Sequence, residues 1–541
     1  MRSLWLFSVA VSLAAQTADL VVVNARIYTV NPTQPTASAL AVKGGRLLAV
    51  GDDVSAYVNA ATKRIDAKGA TIIPGLIDAH VHMRGLGDSL EILDLRSTRS
   101  PQEAAGLVRT AAGQRTKGEW IRGRAWDQTE YPGKEFPSKE VLDRAAPDHP
   151  VYLTRVDGHA AWVNQKALDL ADVNSATKDP DGGKIIRDAK GAPTGILIDR
   201  AQNLVRSRIP AATQEQVRRL ISRAVKECAR LGLTGVHDAG VGQEDLLAYR
   251  SLEQSKELTL RVYAMIGGEG ALWREYLKKG PEIGEVLTVR SIKLVADGAL
   301  GSRGAALLEP YSDEPNNAGL LILKEEDIRR VARDAVARGF QVNTHAIGDR
   351  ANRVTLQAYG SVLIGKNNRR FRIEHSQIVA MPDFELFRRA SVIASIQATH
   401  ATSDMRWAES RIGPARVKGA YAWRKFLDMG IPIANGSDFP VENANPLWGV
   451  YSSVTRQDHA GSPAGGWYPD QKLTRAEALK SFTLDAAFAA FEEKQKGSLE
   501  AGKLADFVML SSDIMRVPPA EILKTKVLMT VVGGAVVYNS Q

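Results

Sequence analysis

The sequence predicts an α/β chain built round a (β/α)8 TIM barrel, with a small β-sandwich made from both termini and a large insertion after barrel strand one. Three observations carry this. Between residues 74 and 490, eight apolar runs end in polar residues and alternate with helical patterns. A β-rich flank with a Gly-Gly turn stands at each end of the chain. Between the first and second runs lies a segment, residues 84–232, far beyond ordinary loop length.

Taken in order, residues 1–18 read as a secretory signal peptide. Arg2 supplies the positive start and Leu4 to Leu13 the apolar stretch, while Ser12 and Ala14 place cleavage just after Ala14 or Ala15. Export to a bacterial periplasm or the extracellular space is the expectation. Residues 19–73, with "DLVVVNARIYTV" and "ALAVKGGRLLAVG", are the N-terminal part of the β-sandwich. Residues 491–541, with "GSLEAGKLADFVMLSSD" and "VLMTVVGGAVVYNS", are its C-terminal part.

The barrel strands are "LIDAHVH", "GVHDAG", "LRVYAMI", "SIKLVADG", "QVNTHAIGD", "FRIEHSQ", "VIASIQATH" and "IPIANGSD". The helix before the fifth is marked by Ile328, Val331, Ala332, Ala335 and Val336 at helical spacing, with Gly339 as its C-cap. The insertion has its own patterning in "EWIRGRAWDQTEYPG", "PVYLTRVDGHAAWVNQKAL" and "DPDGGKIIRDAKGAPTG", which suits a subdomain over the barrel mouth. Cys228 is the only cysteine, so no intramolecular disulfide supports the chain. It falls on the apolar side of Val217, Leu220, Ile221, Ala224 and Val225, as a core residue.

Composition excludes some classes. With 44% hydrophobic and 24% charged residues, the chain is of ordinary soluble globular type. The net charge is +9, yet no dense Lys/Arg block with interleaved aromatics appears, which argues against nucleic acid. No internal apolar stretch is long enough for stable membrane insertion once the signal is removed. A small-molecule substrate is the expected partner, and a homo-oligomer is compatible with the sequence.

The chemistry lies at the strand ends. In order they carry His80 and His82 (strand one), Lys293 (four), His345 (five), His375 (six) and Asp438 (eight). Imidazole and carboxylate suit Zn²⁺, with manganese, iron or cobalt served by the same ligands. Singly, each histidine reads as a core residue, Lys293 as a snorkelling side chain and Asp438 as a turn aspartate. Together they form one ordered set at one end of a barrel. Alternation points His80 and His82 to the same side, with Val81 facing away. Four histidines and an aspartate exceed the need of one ion and fit two if a group bridges them. Lys293 is that candidate, because a buried lysine of depressed pKa takes up CO₂ to give an anionic carbamate.

"PGLIDAHVH", "IKLVADGALGSRGAAL", "VNTHAIGD", "RIEHSQ" and "ANGSDFPVE" resemble the amidohydrolase superfamily, and more narrowly its YtcJ-like or amidohydrolase 3 branch. "VYLTRVDGHAAWVN", "GGWYPDQKLT" and "GSLEAGKLADFVML" are similar to that branch too, so the likeness covers nearly the whole chain after residue 18. The resemblance implies a metal-dependent hydrolase barrel with a β-sandwich from both termini. It implies that His80, His82 and Asp438 hold the more buried metal, that His345 and His375 hold a second, and that carboxylated Lys293 bridges them, in a site of one or two ions.

The expected reaction is cleavage of a C–N bond in an amide, formamide or cyclic amide by metal-activated hydroxide, with Asp438 as general acid and base. Competing readings are an esterase, lactonase or phosphotriesterase on the same barrel, or a non-catalytic binding protein. His159, His237, Arg303, His400 and Trp126 are the substrate-binding candidates. Tyr152 and Trp162 could share an apolar wall with Trp126, or all three could be insertion core. His149 and His459 read as surface residues.

Overall fold

A computed structural model describes residues 17–365 and 367–540. The apolar stretch and cleavage residues of the expected signal peptide lie outside the described residues. Eight parallel strands form the central sheet in sequence order: β1 (Leu76–Val81), β2 (Leu233–Val241), β3 (Arg261–Gly267), β4 (Leu287–Val295), β5 (Gln341–Ala346), β6 (Arg372–His375), β7 (Ile393–Gln397) and β8 (Ile433–Gly436). One short antiparallel strand, Glu282–Ile283, is added beside β4. The ring closes just past β8, through a parallel bridge between Val81 and Phe439. Asp438 N–H donates to the His80 carbonyl at 2.8 Å, and His82 N–H to the Phe439 carbonyl at 2.8 Å. The expected barrel is the observed one.

Strand alternation sorts the side chains. Ile292, Leu294, Val342 and Ile373 belong to the main apolar cluster, together with helix residues such as Val331, Ala335 and Leu356. Each such buried aliphatic contributes roughly 1.5–3 kcal/mol relative to exposure. The opposite parity carries Lys293, Asn343, His345, Arg372 and Glu374, all buried. Barrel interiors are ordinarily filled by Val, Ile and Leu; this one is polar beneath its mouth.

The helix Gln214–Arg230 begins at a Thr213–Gln216 capping box and buries Val217, Leu220, Ile221, Ala224, Val225 and Cys228. That face packs with the barrel, and Cys228 Sγ lies 3.8 Å from Met83 Sδ. The helix is therefore a barrel helix, and the expected insertion span 84–232 runs one helix too far: an amphipathic face of this width has only the barrel to cover it.

The insertion proper is a six-stranded sheet in the order Gly183–Arg187, Pro193–Asp199, Ala160–Val163, Val151–Arg155, Ile121–Trp126 and Leu93–Asp94. It has apolar clusters of its own, one round Trp126 and Trp162, another round Tyr152 and Leu197. The terminal β domain has a four-stranded sheet from residues 20–66 and a six-stranded sheet. In the latter, Phe507–Leu510 pairs antiparallel with Thr71–Pro74, so the two ends of the chain meet. Arg261 on β3 ties this domain to the barrel, donating from Nε and Nη2 to the Asp506 carboxylate at 2.7 and 3.0 Å. Among the described residues no helix is long and apolar enough to cross a membrane.

Candidate metal centre and active-site cavity

The barrel mouth gathers the predicted groups. His82 Nε2 stands 3.2 Å from Asp438 Oδ1, and His80 Nε2 stands 3.5 Å from the same oxygen. His400 Nε2 is 3.6 Å from Asp438 Oδ2, and His375 Nδ1 is 4.0 Å from it. Two ligand groups result, His80–His82–Asp438 and His375–His400–Asp438, with Asp438 common to both. Lys293 Nζ lies 3.1 Å from His80 Nε2. His345 Nε2 is 3.4 Å from Asp297 Oδ1, and its ring centroid is 4.6 Å from that of His375.

Local backbone explains how these side chains converge. In β6, Arg372 and Glu374 point inward, so simple alternation would turn His375 outward with Ile373. His375 instead takes φ 76°, and its ring swings back to the mouth. Asp438 takes φ 60° just past β8. Positive φ in a non-glycine residue costs of order 1–3 kcal/mol, and such strain gathers at functional sites. Gly436 has to be glycine for another reason: a Cβ there would lie 2.6 Å from both the His80 nitrogen and Asp78 Oδ1. The Asp78 carboxylate accepts from Ser437 N–H at 3.0 and 3.1 Å, helping to seal the β8–β1 seam.

The electrostatics fit a cation. Glu374 Oε2 takes the proton side of His80 Nδ1 at 2.5 Å, which leaves His80 Nε2 as a lone pair aimed towards the Asp438 carboxylate. Two acceptors facing each other in a buried place need a positive charge close by, and Lys293 Nζ, 3.1 Å from His80 Nε2, supplies one of them with a donor. Burial first, and the Lys293 charge next, push His80 down to about 4, so it is neutral at pH 7. Burial also lowers His345, His375 and Lys293. Burial by itself would raise Asp438, but His80, His82 and His375 hold it well below the usual carboxylate range. Buried His345 Nε2, His400 Nε2 and Asp438 Oδ1 have no hydrogen-bond partner among the described residues. Neutral imidazoles, an ionised carboxylate and orphaned lone pairs are the donor set of a divalent metal.

Above the ligands stands a cavity of about 960 Å³, counting its open mouth. Its apolar wall includes Val295, Leu300, Ile347 and Trp407, and the insertion contributes Asp127, Arg155, Asp157 and His159. His159 Nδ1 bonds Asp199 Oδ1 at 2.6 Å. Burial opposes the charged imidazolium, but the Asp199 bond and charge outweigh it and raise His159 to about 9. Arg155 is held by Gln128, Asp157 and Asp127 at 2.7, 2.6 and 2.7 Å.

Of the expected substrate residues, His159 and His400 line the cavity. The other three do not. Trp126 is fully buried in the insertion core, its indole N–H donating to the Leu153 carbonyl at 2.8 Å, and an apolar ring of that size is satisfied there. Tyr152 and Trp162 are likewise insertion core. His237 sits inside the barrel below the mouth, where its Nδ1 accepts from Arg372 Nη1 at 3.0 Å. Arg303 is turned to Asp313 and Glu314 in its own loop, at 3.2 and 3.4 Å. His400 lies past the end of β7, in the helix Ala398–Asp404, close enough to Asp438 to join the second ligand group, where the expectation had placed His345. The reason is that His345 Nε2 is turned towards Asp297. His149 is buried, with Nδ1 3.0 Å from the Glu119 carbonyl, and is not a surface residue. His459 is exposed, as expected.

Residue reasoning missed Glu374, Arg372, Asp297 and Asp199. Charged residues at inward parity within apolar strand patterns are a signal for the first two. Asp199 carries no signal, because its partner is forty residues away.

Comparison with known proteins bears on the same point. The amidohydrolase family model matches residues 63–538. The putative amidohydrolase YtcJ of Bacillus subtilis (strain 168) is 34% identical over 493 residues, covering 89% of this chain and 92% of its own. N-substituted formamide deformylase of Arthrobacter pascens is 27% identical over 547 residues, covering 97% and 99%. An uncharacterized metal-dependent hydrolase from Pyrococcus horikoshii OT3 matches in structure with TM-score 0.75 and 30% identity, over 92% of this chain and 99% of that one. Fold and site define a metal-dependent hydrolase that acts on small molecules and uses a divalent ion. The chain belongs to the amidohydrolase family, among its YtcJ-like members.

Proposed function

We propose that the enzyme hydrolyses a C–N bond outside peptides, in an amide, formamide or cyclic amide. The observation that supports this most is the single Asp438 carboxylate shared by two histidine groups at the floor of a partly apolar cavity. The formamide deformylase relative points to the same bond type. His80, His82 and Asp438 would hold one ion, and His375 and His400, with His345 beside them, a second. Zinc is the first choice, and Lys293, buried beside His80, is the amine that would take up CO₂. A bound ion supplies Lewis acidity, for the water and for the carbonyl alike.

The chain's own groups do the rest. Asp438 accepts the proton of the attacking water and returns it to the leaving nitrogen as the C–N bond breaks. His159, with Nδ1 engaged by Asp199, keeps Nε2 to donate to the substrate. Val295, Leu300, Ile347 and Trp407 hold the organic part and exclude water. Metal quantification joined to a paired screen tests the proposal: N-formyl, N-acyl and cyclic amides against esters of matched shape. Turnover of the amides supports it; turnover of esters alone overturns it in favour of an esterase. Export rests on the N-terminal pattern and is read by N-terminal sequencing of protein from cell fractions.

A further inference from the structure

Beneath the metal ligands a buried row of polar side chains leads down into the barrel. Glu374 Oε2 is 2.5 Å from His80 Nδ1. Arg372 Nε is 2.8 Å from Glu374 Oε1, and Arg372 Nη2 is 3.1 Å from Glu374 Oε2. Arg372 Nη2 also donates to the Ala79 carbonyl at 2.5 Å and to Ser395 Oγ at 3.1 Å, while Nη1 donates to His237 Nδ1 at 3.0 Å. Arg372, Glu374 and His80 are 0% exposed, and His237 is 1% exposed.

From this geometry we propose that Glu374 and Arg372 are positioning residues for the metal centre. Glu374 grips His80 at Nδ1, so that Nε2 is the nitrogen turned to the ligand cluster, and Arg372 holds the Glu374 carboxylate in place. The inference rests on the metal-centre reading above and assigns the two residues of β6 that it leaves without a role.

A ligating histidine presents one nitrogen, and which one is set by the partner of the other. Here the partner is a carboxylate in a fully buried place, where an ion would be too costly without compensation. Arg372 supplies that compensation, and its remaining donors are anchored on β1 through Ala79, on β2 through His237 and on β7 through Ser395. The guanidinium therefore cross-braces four strands round the base of His80. His237, unused by the cavity, acts as a neutral acceptor in this brace.

The test uses Zn²⁺ binding to the full chain by competition with a chromophoric chelator. Glu374→Gln keeps the shape and removes the charge. Its Zn²⁺ affinity should fall roughly 10–100-fold, the usual loss when such a partner is removed. The pair Arg372→Met with Glu374→Gln restores charge balance and guards against a failure to fold, checked by circular dichroism. If Glu374 served only to neutralise Arg372, this pair would regain wild-type affinity, and that result overturns the proposal. Affinity that stays low in the folded pair supports it. Unchanged affinity in folded Glu374→Gln also overturns it. A wild-type chain that takes up no Zn²⁺ overturns the metal centre itself, and this inference with it.

Discussion

Replacing Asp199 by Asn should destabilise the insertion in a pH-dependent way. His159 is raised from 6.5 to about 9 in the fold, since the bond and charge of Asp199 outweigh burial. At roughly 1.4 kcal/mol per pKa unit, that displacement is worth about 3 kcal/mol in favour of the folded, charged imidazole. A raised pKa contributes in full below the unfolded value and is lost as pH rises through the folded one. The stabilisation is therefore complete below pH 6.5 and gone above about 9. The imidazole side chain is 20% exposed and the carboxylate 2%, so solvent screens the pair little. Asp199 also packs against the loop after β4, where a Cβ on Gly304 would lie 2.7 Å from its Oδ2. Urea unfolding, followed by hydrogen exchange in the strands Ala160–Val163 and Pro193–Asp199, reads the insertion directly. At pH 6 Asp199→Asn should cost about 2–3 kcal/mol. At pH 10 the gap should shrink to about 1 kcal/mol, the worth of an uncharged hydrogen bond. An equal gap at both pH values refutes the assignment of the ion pair.

Three further outcomes follow from the same structure. A chelator should abolish hydrolysis, and added Zn²⁺ should restore it, read as activity against metal content. Asp438→Asn should lower kcat by about 10²–10⁴-fold, and because both ligand groups share this carboxylate it should also lower bound metal per chain. Asp506→Ala leaves buried Arg261 without its bidentate carboxylate, only the exposed Glu285 remaining beside it, and should cost about 3–5 kcal/mol, seen as a lower melting temperature with the metal ligands untouched.

The barrel was legible because its signals are local: an apolar run, a polar end and a helical interval are all written within about thirty residues. The candidate ligands stood out for the same reason, since His80, His82, Lys293, His345 and Asp438 stand at or near strand ends. Their surroundings were less so. His375 is placed by a positive φ that alternation does not anticipate. Trp126 and His237 are residue types that suit either a cavity or a core, and only tertiary packing decides between them. Arg303 found acidic partners ten and eleven residues on in its own loop, a pairing that the stretch "SRGAALLEPYSDE" already permits. The end of the insertion was misplaced because the helix Gln214–Arg230 has the same amphipathic pattern whether it caps a subdomain or flanks a barrel.

The polar barrel interior has an energetic consequence. Buried polar groups stabilise a fold only when each is satisfied, and a half-satisfied network is worse than an apolar core. Low in the barrel the network is well connected: Arg372 reaches Glu374, His237, Ala79 and Ser395, and Glu374 reaches His80, although His237 Nε2 and the Asn343 side chain have no hydrogen-bond partner among the described residues. At the top, the atoms without a partner among the described residues include His345 Nε2, His400 Nε2 and Asp438 Oδ1. These are the atoms a cation would satisfy. A bound metal ion would therefore be more than a reagent for hydrolysis, because it would satisfy buried groups of the barrel's own core. At a free concentration a hundred times its Kd, such an ion adds about 2.7 kcal/mol to stability. Metal removal should consequently loosen the mouth, including the strained turns at His375 and Asp438, while the Arg372 brace and the outer apolar layer keep the barrel folded.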